Sequence, residues 1–450
     1  MKPNILLLTI DSLRADKIYG KNKSSFTPNI DRLINNGIYF SQTISTSDTT
    51  GLSIGSLVTA KYPFKTGITH FSYDPNTISY FQILKDNGYE INATVPDSSF
   101  FLKMLSNFPK TDSYVYDKRE SWLQLVGGIG EQIINQLETS DTEPWFYYIH
   151  LMDLHAPFYI PKEFDSKKYG QTPYDRMISA IDFWIGKFLE KIDLNKTLLI
   201  ISADHGDHIP DVNDWGKIPK VNSLLKKAKQ KLPVLEPLGL RLFVSYQSVK
   251  RKYKYQKLLK ELSERQLIAL KGRGQNHLFD ELVRIPLIFN GYGINSPKII
   301  PTQVKQIDIL PTITDLVNVT STLEEIDGES LVPLFSNSSE KNSFAYIETG
   351  SRNFKNTKNP TLHGNIIGLR TPKYKYWRSR NDSTKNVTLY DLQNDPNEEN
   401  NIAIKNEAIV NFMEKTIEDL KKNSIHLKDN ELSKANENAI EEELKKLGYL

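Results

Sequence analysis

The chain has 450 residues, 39% hydrophobic, 25% charged and 10% aromatic, a mixture that supports a sizeable packed core and excludes disorder as the dominant state. A formal charge of +3 gives no electrostatic case for a nucleic-acid partner, and none is expected. The absence of cysteine excludes disulfides, thiolate metal sites and a cysteine nucleophile, and it fits a reducing compartment. At this length the expectation is roughly three domains, or one large α/β domain with a smaller companion.

In chain order, Ile5–Ile10 is a short apolar run that stops at Asp11 and reads as a buried strand. It is too short for the apolar region of a signal peptide, and nowhere does the chain reach the roughly 18 apolar residues of a membrane span. A cytoplasmic protein is expected. The Asn-X-Ser/Thr triplets at Asn92, Asn195 and Asn318 follow from an asparagine-rich composition. Thr27–Gly37 reads as a helix, with Pro28 in its first turn and Gly37 as its stop. Phe81–Gly88 reads as a helix closed by glycine, and Glu90–Val95 as the strand after it. Trp145–Leu151 is an aromatic-rich strand. Tyr174–Ile192 carries Met177, Ile178, Ile181, Ile185, Phe188 and Leu189 at helical spacing, and Thr197–Ser202 is another buried strand. Val283–Phe289 and Ala345–Ile347 complete the strand candidates. Strands alternating with helices predict an α/β fold: a large, mostly parallel sheet covered by helices on both faces.

Two stretches break the rhythm. Gly216–Lys271 holds fifteen Lys/Arg against three Glu, with an apolar patch over Leu232–Tyr246. It reads as a helical insertion that is solvated, forms a lid or dimer contact, or lies on an anionic membrane surface or polyanion. The second, Lys405–Leu450, is polar and helix-prone. The predicted domains are 1–335, which carries the chemistry, and a small strand-rich unit with a helical tail over 336–450.

Asp11 follows one buried strand and Asp204–His205 follow another. The carboxyl ends of strands form the ligand crevice of open α/β sheets, so adjacent strands would bring the three residues onto one divalent cation. Carboxylate plus imidazole suits Mn²⁺ or Zn²⁺, and Mg²⁺ or Ca²⁺ less well. His150, His155, His205, His208 and His277 all lie beside strand ends or just after them. Thr49–Thr59 starts with hydroxyls and runs into a helix-like pattern of small residues. Thr50 there is either a helix cap or a hydroxyl facing a bound anion, activated if it also touches the metal.

These segments resemble the sulfatase family, within the alkaline phosphatase superfamily. The likeness runs through NILLLTIDSLRADKIYG (Asn4–Gly20), FTPNIDRLINNGIYF (Phe26–Phe40), SLVTAKYPFKTGI (Ser56–Ile68), HLMDLHAPF (His150–Phe158), LLIISADHGD (Leu198–Asp207) and HLFDELVRIPLIFNG (His277–Gly291). It continues through VKQIDILPTITDL (Val304–Leu316), DGESLVPLF (Asp327–Phe335) and LYDLQNDPNEENNIA (Leu389–Ala403). The resemblance implies a large mixed sheet bearing the site, with a small antiparallel sheet and helix behind it. It implies Asp11, Asp204 and His205 as metal ligands and Thr50 at the nucleophile position. It implies His155 as a substrate-contacting histidine and His277 as a late basic group that protonates the leaving oxygen.

The departures are specific. The C/S-x-P/A-x-R pattern that yields formylglycine reads Thr50-Gly51-Leu52-Ser53-Ile54 here, and the second N-terminal aspartate is Ser12. A threonine on a single ion, with Thr50 also a ligand, is similar to phosphodiesterases and to phosphoglycerol or phosphoethanolamine transferases of the same superfamily. The expected activity is hydrolysis of a sulfuric or phosphoric ester, with Lys61 or Lys65 as an anion clamp. A serine-type enzyme using Ser53 has the wrong spacing from Ser56. A sulfatase-fold binding protein without catalysis is the alternative of another class.

Overall fold

The computed structural model describes residues 2–69, 72–115, 124–139, 142–156, 159–209, 263–269, 273, 275–321, 323, 325–336, 344–350 and 365–422. Most of the basic stretch 216–271 and the tail beyond 422 therefore lie outside the described residues. Within that stretch, Glu264–Ala269 is helical.

Eight strands form the main sheet: β1 (Asn4–Ile10), β2 (Ile38–Ile44), β3 (Glu90–Pro96), β4 (Lys110–Tyr114), β5 (Trp145–Leu151), β6 (Thr197–Ala203), β7 (Arg284–Gly291) and β8 (Lys298–Lys305). Their spatial order is β4-β3-β5-β1-β6-β7-β2-β8. β7 is antiparallel to both its neighbours, β6 and β2, and every other pairing is parallel. The sheet is thus mixed and mostly parallel, as expected. β2, β4 and β8 have no counterpart among the strands predicted from sequence. β4 and β8 are the two edges: the first is polar and largely exposed, and the second carries Pro301 mid-strand, so neither shows the apolar run of a buried strand.

Alternation along β1 explains the two covering layers. Ile5 and Leu7 point into one core, and Leu6, Leu8 and Ile10 into the other. The first core takes in helix α2 (Thr50–Thr59). The second takes in α1 (Pro28–Asn36) and α4 (Pro173–Leu189), with α3 (Gly130–Thr139) packed beside them. Thr172 caps α4 through a reciprocal capping box with Asp175. Gly37 ends α1 as predicted, but for a different reason. Its φ of −129° is open to any residue, whereas a Cβ there would meet the Phe289 carbonyl oxygen at 2.4 Å. Glycine is needed for close approach to β7.

A second sheet of four antiparallel strands, β9 (Ala345–Glu348), β10 (Ile366–Arg370), β11 (Tyr374–Ser379) and β12 (Thr388–Asp391), packs with helix α5 (Glu407–Lys422). Its junction with the main domain is ionic as well as apolar. Lys375, fully buried, bridges Asp280 at 2.5 Å and Glu398 at 2.7 Å, and Arg370 forks onto Asp280. Removing one member of such a buried set strands the others, which costs about 3–5 kcal/mol. Lys375→Ala is therefore expected to lower the melting temperature by several degrees. Lys385→Ala, which breaks an exposed pair with Asp382, should leave it unchanged. Parallel thermal melts of the two variants check this.

Candidate active site

Register decides where the acidic groups meet. Ile10 pairs with Ala203 across β1 and β6, so Asp11 and Asp204 leave adjacent strand ends side by side. Adjacent strands lie about 4.8 Å apart, within reach of one cation. Asp11, Asp204 and His205 are all 0% exposed, and one ligand atom from each lies within 4.8 Å of the others. β5 adds His150, paired with Thr9 of β1, whose Nε2 lies 4.0 Å from Asp11 Oδ2. The tight turn after β6 needs Gly206, where a Cβ would meet the Glu281 carbonyl oxygen at 2.1 Å.

Ser12 joins the two carboxylates. Its φ of +62° lies in the left-handed region, uncommon outside glycine. That conformation lets its backbone N–H donate to Asp204 Oδ1 at 3.0 Å while its hydroxyl donates to Asp11 Oδ1 at 2.6 Å. The sequence showed Ser12 only as a lost ligand; its bridging role comes from the backbone turn, which carries no sequence mark such as glycine.

Thr50 is the first residue of α2, and β2 and the segment 45–49 deliver it to the same point. Its hydroxyl donates to Asp11 Oδ2 at 3.0 Å and lies 3.4 Å from His205 Nε2. A hydroxyl at a helix start also meets the positive end of the helix dipole. Ser53, one turn on, is committed elsewhere: it donates to the Asp204 carbonyl oxygen at 2.6 Å and takes part in a Gln306 contact.

Burial and neighbouring charges shift the titration of all three groups. Burial and the nearby Asp11 push the Asp204 carboxyl well above its ordinary value. For Asp11, burial works upward, but His205, His155, Arg273 and His150 outweigh it and hold the carboxyl below its ordinary value. Burial, then Arg273, pushes His205 well below its own. Its Nδ1 lies 2.8 Å from the Gly206 carbonyl oxygen, which fixes the proton there and leaves the Nε2 lone pair for the site. Asp204 Oδ2 has no hydrogen-bond partner. A buried carboxylate oxygen without a hydrogen-bond donor, a second carboxylate beside it and an imidazole nitrogen directed into the cluster fit a divalent cation.

The predicted residues thus divide. Asp11, Thr50, Asp204 and His205 converge, and His155 is near enough to act on the charge of Asp11 and His205. His277 is buried and stacks on Phe279, with ring centroids 5.0 Å apart, in the core shared with the second sheet. His208 pairs with Glu281 at 2.7 Å. Lys61 and Lys65 do not join the cluster. They lie beyond the far end of α2, ten residues or about 15 Å from its start, and Lys65 is paired with Asp327 at 2.6 Å. The anion clamp predicted on them is corrected accordingly. Arg273, which the sequence reading missed, enters instead: its Nη1 lies 2.6 Å from His205 Nε2. Nothing in its local sequence marks it, since it follows directly on a stretch already crowded with basic residues.

The sequence pattern of the sulfatase family matches residues 3–319. The chain belongs to the sulfatase family. In this member of the family, residues 274–423 also match the N-sulphoglucosamine sulphohydrolase C-terminal pattern. Among curated relatives, it is 27% identical to arylsulfatase K of Rattus norvegicus over 126 residues, 28% of this chain and 22% of that protein. Identity to arylsulfatase K of Gallus gallus is 26% over 140 residues, 31% of this chain and 26% of that protein. The alignments thus span about a quarter of those relatives. Solved structures align over nearly the full length. Ps i-CgsB, solved with k-i-k-neocarrahexaose, has a TM-score of 0.65 at 16% identity, covering 99% of this chain and 100% of that one. BT4656, solved with D-glucosamine-2-N,6-O-disulfate, has a TM-score of 0.62 at 17% identity, covering 94% and 99%.

The geometry of Ser12 yields a direct test of the cation site. Aspartate tolerates left-handed φ better than most residues and would add a third carboxylate to the ligand set. Ser12→Asp is expected to tighten Mn²⁺ binding about tenfold or more, because affinity rises with ligand charge. Asp204→Asn should abolish binding. Isothermal titration of metal-stripped protein measures both.

Proposed function

We propose that this sulfatase hydrolyses a sulfuric or phosphoric ester with Thr50 as nucleophile, using one divalent cation held by Asp11, Asp204, His205 and Thr50 itself. The observation that carries the reading is the Thr50 hydroxyl, 3.0 Å from Asp11 and 3.4 Å from His205, inside the ligand cluster. A bound cation would supply Lewis acidity, making the hydroxyl more acidic and drawing charge from the ester's non-bridging oxygens.

The chain's own groups supply the rest. Asp11 Oδ2 accepts the Thr50 hydrogen bond and orients the oxygen; held below its ordinary pKa, it is a weak base and serves by aim and charge. Thr50 Oγ1, its proton passed to solvent, forms a bond to sulfur or phosphorus as the bond to the leaving oxygen breaks. His155 is the histidine of the described site suited to protonate that leaving oxygen, a role assigned from sequence to His277. Water then attacks the same sulfur or phosphorus, giving a proton to the His155 that the first step left basic, and Thr50 Oγ1 departs and regains its proton from solvent. Two easier displacements replace one hard one. An acceptor alcohol in place of water would make the protein a transferase.

Family membership and the disulfated glucosamine bound by BT4656 support a sulfated sugar as substrate. The threonine in place of a formylglycine precursor supports a phosphoric ester. Hydrolysis of p-nitrophenyl sulfate, p-nitrophenyl phosphate and bis-p-nitrophenyl phosphate by metal-stripped protein, with Mn²⁺, Zn²⁺, Mg²⁺ or Ca²⁺ restored, separates the two. One ester is expected to turn over only with metal. Thr50→Ala should lower its kcat about a thousandfold or more, while Thr50→Ser keeps measurable turnover. Undiminished turnover by Thr50→Ala would remove the threonine mechanism. Failure to bind any divalent cation would favour a binding protein built on this fold.

A further inference from the structure

We propose that the cleft between the main sheet and the small sheet is a second binding site, separate from the catalytic cluster, and that it takes a sugar ring. The inference stands whether or not the protein hydrolyses an ester.

Three observations carry it. The first is the cavity. Its volume is about 410 Å³, within the range of small-molecule sites, and its walls come from the segment after β1, from β2, from the start of β7 and from the small sheet. Asp11, Thr50, Asp204 and His205 are not among its lining residues, so an ester held at Thr50 is not what this cleft meets. The second is an unanswered hydroxyl. Tyr39, on β2, lines the cavity and is 1% exposed, yet its hydroxyl has no hydrogen-bond partner among the described residues. The groups whose charge reaches that hydroxyl are Arg284, Tyr19 and Asp16, all on the same walls. A phenol oxygen sunk this far without a partner is costly unless a bound molecule answers it.

The third is the mixture of groups around that hydroxyl. Arg284 makes no side-chain hydrogen bond among the described residues. Its ion contact there is Asp280 at 3.7 Å, whose carboxylate already receives Arg370 at 2.8 Å and Lys375 at 2.5 Å. Asp16 presents a carboxylate, held in place by the Arg14 fork. Gln42 gives its carbonyl oxygen to Arg370 and has its amide N–H groups left over. Tyr19, 39% exposed, tilts over Tyr39 with ring centroids 5.0 Å apart and offers an apolar face at the rim. Donors and an acceptor therefore stand together beside an aromatic ring. A simple anion would answer the guanidinium and the phenol but be repelled by Asp16. An apolar molecule would strand all three. A sugar ring has an apolar C–H face for Tyr19 and hydroxyls that both donate and accept, so it answers every group at once.

The test is saturation-transfer NMR on the full-length protein with glucose, galactose, N-acetylglucosamine and glucuronate as probes, followed by titration of whichever binds. At least one of the four is expected to bind, and millimolar inorganic sulfate should leave its signal unchanged. Tyr39→Phe should weaken that binding about threefold to tenfold, as expected for one lost hydrogen bond. The same variant should melt no lower than the parent, because its hydroxyl has no partner to lose, so weaker binding cannot be blamed on unfolding. Tyr19→Ala should weaken binding by a similar factor through loss of the ring face. Asp204→Asn, which disables the cation site, should bind the sugar as the parent does. Failure of all four sugars to bind, or unchanged affinity in either tyrosine variant, would overturn the proposal. Binding that is lost in Asp204→Asn or displaced by sulfate would also overturn it, because the sugar would then sit in the catalytic cleft.

Discussion

Two carboxylates buried side by side are the constraint around which this molecule is arranged. Asp11 and Asp204 are brought together by register, because β1 and β6 are parallel neighbours that end level with each other. Burying one unpaired carboxylate is costly, and burying two together is costlier still. The surroundings are a set of partial answers to that cost. Ser12 gives one hydrogen bond to each carboxylate, Thr50 gives another to Asp11, and imidazoles and one guanidinium surround them. The answers are incomplete at Asp204 Oδ2, and that atom, with Asp11 and His205 beside it, gives the cluster the make-up of a possible cation site.

The supporting elements follow from the same constraint. β1 must be central, because both faces of the sheet are needed to bury it and both flanking strands contribute to the site. α2 must begin at the cluster, and its residues 51–59 are all buried, so its start cannot drift. The turn at Ser12 stores backbone strain, the kind of local cost that persists only where surrounding contacts fix the conformation. Here the contacts are the two carboxylates that the turn itself joins.

Much of this was legible in the sequence, and for identifiable reasons. Strand ends carrying Asp11 and Asp204–His205 show in the apolar runs before them, and β5 was bounded residue for residue. The position of Thr50 rested on resemblance, with spacing alone leaving it a helix cap. What escaped was set by tertiary contact. β4 and β8 are edge strands whose composition does not announce burial. Lys61 and Lys65 lie near Thr50 in sequence, but the straight run of α2 carries them away. Arg273 is far in sequence from Thr50, and the main sheet brings the two together. His277 has the residue type expected of a catalytic group and the surroundings of a core aromatic, stacked on Phe279.

The pair Asp280–Glu281 has a consequence for how this protein can be divided. Asp280 receives Arg370 and Lys375 from the small sheet, while the next residue, Glu281, faces Arg14, His208 and Arg265 on the catalytic side. The two sheets are therefore wired to each other through consecutive side chains. A truncation that removed the small sheet would leave a buried aspartate without its cations one residue from the groups that shape the catalytic rim. The C-terminal sheet is not a detachable module appended to an enzyme. It shares a buried ionic cluster with the main domain, and the smallest stable unit has to include both.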